Sequence, residues 1–184
     1  MSEGTIILHC SPTLAGMKTG NMFWSDFVDE AEMRDSVRHW NRLLSRKGIC
    51  VLPLTFHDGR ALIYVYRPSL LDRDLKDSEA ARILAECGYP DGPSGRTLAW
   101  LIKRLGSSTV FPHEVGLFLG YPPEDVRGFI ENKAANYKYV GTWKVYGDVD
   151  TSRRTFQRYK KCTEIYCREH RRGTSIERLT VAGQ

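Results

Sequence analysis

A histidine and a cysteine stand side by side at positions 9 and 10, and Ser11, Thr13, Lys18 and Asn21 follow closely. A cysteine next to a histidine can be held as a thiolate and act as a nucleophile. Hydroxyls, an amide and an ammonium, with backbone amides freed at Gly16 and Gly20, are the groups that hold an anion. The catalytic candidates are therefore Cys10 and His9, with the ligand contacts drawn from Ser11, Thr13, Lys18 and Asn21.

A second pair, His113-Glu114, supplies a further base and a further ligand contact. A zinc-protease helix needs another histidine four positions on, but that position is Leu117. A third group, Cys162, Cys167 and His170, lacks the CxxC pairs of a zinc ribbon. On one helix Cys162 and Cys167 would point about 140° apart, so they cannot share a metal. No metal ligand set and no particular cofactor is assigned from the sequence. Phosphate-loop, dinucleotide, nucleophile-elbow and CxxC redox motifs are all missing.

These groups need elements to position them. Thr5–Cys10 reads as a short buried strand because its apolar run is short and β-branched. Residues 23–47 read as a helix, with Val37, Trp40 and Leu44 at helical spacing and Gly48 after the end. Two apolar runs, 49–56 and 61–67, flank Asp58-Gly59, the signature of a hairpin with a type I′ turn. The second arm is apolar on both faces and suits a central strand, whereas Pro53 puts a bulge or an edge in the first.

Two amphipathic stripes follow, Ala80 to Cys87 and Leu98 to Leu105, each trailed by a glycine. A short helix starts near Pro112 and stops at Gly120, and another starts near Pro122 or Pro123. "TWKVYGDV" reads as a strand, and 150–172 as a helix packed through Phe156, Tyr159, Thr163, Tyr166 and His170. The expected fold is α/β or α+β: one domain over 1–184, with a mixed sheet of about four short strands and five to seven helices.

Charge is uneven. Residues 1–149 balance, with 18 cations and 18 acids, while 150–184 carries nine cations against four acids. Such a helix could attract polyanions, but the solvated face of a terminal helix is the simpler reading. Residues 114–132 have the outline of a helix-turn-helix, but its second helix, 122–132, leads with Pro122, Pro123, Glu124 and Asp125, and acids repel phosphates. Nucleic acid is therefore disfavoured as a partner. No apolar run is long enough to span a membrane, and no secretion signal is visible. Five cysteines without a paired spacing point to free thiols and a cytoplasmic protein.

"HCSPTLAGMKTGN", "FPHEVGLFLGYPPEDVRGF" and "TWKVYGDV…FQRYKKC" together resemble a bacterial family of unknown function, common in anaerobic Gram-positive bacteria and sulfate reducers. The resemblance spans almost the whole chain and implies iron or redox physiology in an anaerobic cytoplasm. It brings no assigned activity and no catalytic residues.

Three functions fit these readings. The first is binding of a small anionic ligand or a partner protein, in a pocket built from 9–21 and 111–125. The second is an enzyme with Cys10 as thiol nucleophile and a histidine base. The third is a His/Cys metal- or haem-binding protein.

Overall fold

The chain begins as a helix where the sequence predicts a strand. In the computed structural model, which describes residues 1–107 and 111–183, α1 covers Glu3–Leu14. Ser2 caps it, its hydroxyl accepting the Thr5 N–H at 3.1 Å. The apolar residues read as strand-like fall at helical spacing. Ile6, Ile7, Cys10 and Leu14 line one buried face, while Leu8 and His9 face outward. Pro12 removes the bond to the carbonyl of Leu8, a residue on that outward face.

Phe23 likewise belongs to a strand, not to the start of a helix. β1 (Gly20–Asp26) buries Phe23 and Ser25 and exposes Trp24 and Asp26, a period of two. The helix α2 (Glu30–Leu44) starts only after Asp29, whose carboxylate accepts the Ala31 N–H at 2.9 Å.

The hairpin is as the sequence predicts. β2 (Cys50–His57) and β3 (Arg60–Tyr66) meet at Asp58 and Gly59, with φ of 47° and 72°, the positive values a type I′ turn requires. A bulge lies between Pro53 and Thr55, and β3 is the centre of a three-stranded antiparallel sheet ordered β1-β3-β2.

The helices α3 (Pro68–Asp74), α4 (Ser78–Glu86), α5 (Ser94–Ser107), α6 (Val115–Phe118) and α7 (Pro123–Glu131) follow. Gly106 does not stop α5, which runs through Ser107. "TWKVYGDV" contributes only two paired residues: β4 (Tyr139–Val140) and β5 (Lys144–Val145) form a separate antiparallel ladder. The chain ends with α8 (Val149–Arg171) and α9 (Ile176–Leu179). The class is α+β, with a three-stranded and a two-stranded sheet among nine α-helices in the described residues.

Backbone contacts divide the chain into two units, Met1–Leu70 with Tyr159–Gln184 and Leu71–Arg158. In unit one, α1, α2 and the sheet share an apolar core that includes Ile6, Leu14, Trp40, Leu44, Ile63 and Ile176. Arg67 sits just after β3, 3% exposed. Its guanidinium donates to the carbonyls of Thr13 (2.7 Å), Leu14 (2.8 Å), Val181 (2.7 Å) and Lys47 (3.3 Å). Two of these acceptors are the carbonyls at the end of α1 that no helical N–H can reach. A lysine, with one compact ammonium, cannot span the same set. Arg67→Met is therefore expected to lower unfolding stability by on the order of 3 kcal/mol, with Arg67→Lys recovering less than half of it, as read from urea midpoints.

Candidate functional site

Placing 9–14 on a helix decides the first candidate cluster. His9 and Cys10 point about 100° apart on α1. His9 is exposed and stacks on Phe23, the ring centroids 4.8 Å apart and the planes within 7°. Cys10 is fully buried, and burial pushes its thiol up, with Lys18 opposing only in part. A thiolate nucleophile needs the opposite shift. Ser11 donates its hydroxyl back to the Ile7 carbonyl within the helix. Thr13 and Asn21 do come together, the hydroxyl donating to Asn21 Oδ1 at 2.7 Å. Lys18 is 4% exposed, and burial pushes its ammonium down to about 8, with Cys10 pulling the other way.

The second cluster, His113 and Glu114, belongs to unit two. Glu114 is buried and accepts the Tyr89 hydroxyl at 2.9 Å, with Arg104 Nε 2.9 Å from the same oxygen. Arg104 also donates to the Cys87 carbonyl at 3.1 Å. Burial and the Glu114 carboxylate push the Tyr89 phenol up. Glu114, just before α6, therefore meets α5 and the segment after α4 rather than facing solvent. His113 is exposed and meets Phe129 edge-on, the centroids 5.0 Å apart.

His113 opens onto a cleft of about 370 Å³. Its walls are aromatic: Phe111, Tyr121, Phe129 and Trp143, with Lys144 at one side. Every residue lining it lies in unit two, whereas the 9–21 segment lies in unit one. The wall is held by Asp125, 2% exposed. One carboxylate oxygen accepts Trp143 Nε1–H at 2.7 Å, and the other accepts the N–H groups of Tyr146 (2.7 Å) and Gly147 (2.8 Å). Gly128 lets Tyr146 pack against α7, since a Cβ there would lie 2.3 Å from the Tyr146 ring. Lys144 donates to the Ala134 carbonyl at 2.7 Å and stands 4.7 Å from the Tyr137 ring centre.

Sequence reasoning took Asp125 for an exposed first-turn acid and passed over Phe129, Trp143 and Lys144. The available signal was the aromatic and basic density of "NYKYVGTWKVY" directly after a helix. Among the described residues, no three of His, Cys, Asp and Glu gather as a metal site. The five cysteines are unpaired, and no described helix is long and apolar enough to cross a membrane.

Two outcomes follow from these burials. Asp125→Asn removes the charge from three hydrogen bonds and sets an amide against a donor. It is expected to cost about 2 kcal/mol of stability, seen as a lower thermal midpoint. Lys18 gives up its proton near pH 8 when folded but holds it to about 10.5 when unfolded, so in that window the unfolded chain binds more protons. Relative to Lys18→Met, the wild-type chain is expected to gain about 1 kcal/mol of stability from pH 8 to 9. Below pH 7 the difference stays flat, as measured by urea unfolding across pH.

No curated protein and no solved structure matches the chain. A family model described as a protein of unknown function, DUF3793, matches residues 6–180. That span takes in most of α1, both sheets, the aromatic cleft and the α8 helix, and the chain belongs to the DUF3793 family.

Proposed function

We propose that the protein binds a small aromatic anion in the cleft of unit two. The observation that carries this reading is the charge pattern of an aromatic-walled cleft. Asp125, the acid in its lining, turns both carboxylate oxygens to three N–H donors, while Lys144 and His113 present nitrogen groups at the cleft. The Lys144 ammonium has three N–H groups, and its bond to Ala134 uses one. A volume of about 370 Å³ falls within the range of small-molecule sites, and aromatic walls favour a flat partner. Catalysis by Cys10 has less support, because that thiol is buried in another unit and held protonated.

The test uses 8-anilinonaphthalene-1-sulfonate and its uncharged relative N-phenyl-1-naphthylamine. The sulfonate is expected to bind at one saturable site, and Lys144→Met to weaken it about tenfold in the folded protein, the loss of one charged hydrogen bond. Equal affinity for the two probes, or sulfonate binding untouched by Lys144→Met, would overturn the reading.

A further inference from the structure

The aromatic cleft has an apolar rim as well as an apolar wall. Phe111 and Val140 both line it, yet they are 48% and 53% exposed. Large apolar side chains left open together at the mouth of a cleft mark a place where another molecule lies. A ligand that only fills the cleft leaves this rim in water.

The surface beside the rim is basic. From Asn132 to Gly147 there are three lysines, Lys133, Lys138 and Lys144, and no acid. Among the described residues no carboxylate pairs with any of the three. Lys138 and Lys144 donate only to backbone, to the Gly147 carbonyl at 3.1 Å and the Ala134 carbonyl at 2.7 Å. Each ammonium keeps further N–H groups. The next acid, Asp148, is taken up at the start of α8, where it accepts the N–H groups of Asp150 and Thr151 and the Thr151 hydroxyl. The ladder places charge and rim together. Lys144 is the cross-strand partner of Val140, and Lys138 precedes Val140 by two, so all three stand on one face of the β4–β5 ribbon.

The occupant must therefore bring a ring for the cleft, an anion for Lys144, apolar surface for the rim and further negative charge beyond it. A single-stranded nucleic acid also joins flat rings to anions. Its bases, however, carry hydrogen-bonding edges. The lining offers those edges little more than Thr142 and His113, since Asp125 is engaged by Trp143, Tyr146 and Gly147. A phenyl or similar side chain needs no such partners.

We propose that the cleft and its rim bind the C-terminal end of an acidic peptide whose last residue is aromatic. The terminal ring lies against the cleft walls and its α-carboxylate meets Lys144. The residue before it covers Val140 and Phe111, and the acids further back face Lys138 and Lys133. This rests on the aromatic-anion reading of the cleft and names the molecule that carries the anion.

The test uses fluorescein-labelled Glu-Asp-Glu-Asp-Leu-Phe as the free acid, its C-terminal amide, Lys-Lys-Lys-Lys-Leu-Phe as the free acid, and a labelled oligouridine, read by fluorescence anisotropy with the full chain at low salt. The acidic free acid is expected to bind saturably and to displace 8-anilinonaphthalene-1-sulfonate. The amide and the lysine peptide are each expected to bind about tenfold more weakly, and Lys133→Met with Lys138→Met to narrow the gap between the acidic and lysine peptides. An amide as tight as the acid, a lysine peptide as tight as the acidic one, or oligouridine binding tighter than either overturns the proposal. Sulfonate binding that depends on Lys144 while no peptide binds overturns this inference alone, whereas sulfonate binding untouched by Lys144→Met removes both readings.

Discussion

Unit one hangs on one buried cation. The Arg67 guanidinium meets carbonyls from the end of α1, from the turn after α2 and from the segment after α9. Each of those is a place where the chain leaves a regular element and its carbonyls lose their usual partners. One planar fork with five N–H groups resolves all three at once. The neighbouring backbone follows suit: Val181 N–H donates to the Leu14 carbonyl at 3.0 Å, and Gly183 N–H to the Lys47 carbonyl at 3.0 Å. Burial works against the charge, and it is tolerated because every acceptor is a dipole already aimed at it.

Unit two uses the reverse device, a buried anion among donors. Asp125 fixes Trp143 and the turn at Tyr146 and Gly147. Glu114 joins Tyr89 and Arg104. Both acids thereby act as fixed acceptors that hold their neighbours in place. Arg127, itself partly buried, links α7 to α4 through Glu79 and Glu86.

The parts of the fold that local chemistry dictates could be read from the residues. Asp58-Gly59 needs positive φ at both positions and so gave the hairpin, and Pro53 gave its bulge. The α8 helix followed from a stripe of period 3.6. The first dozen residues misled because Thr5 to Leu8 is short, apolar and β-branched, which fits a strand as well as a helix face. The Ser2 cap and the spacing of Cys10 and Leu14 decide in favour of the helix. The aromatic cleft was harder to see. Its walls come from residues separated in sequence, and Asp125 is an ordinary helix-start acid until Trp143 is brought to it.

The clamp at Arg67 also orders events during synthesis. Its partner Val181 lies 114 residues further along the chain, on the far side of all of unit two. As the chain leaves the ribosome, unit two is complete while unit one still lacks α9 and the segment that Arg67 holds. Until those last residues emerge, the guanidinium lacks its Val181 acceptor and the Leu14 carbonyl lacks the Val181 N–H. Unit one must then wait for a long-range closure, the slow kind of contact to form. In that interval the nascent chain presents an open sheet-and-helix layer, the state in which chaperones engage a protein.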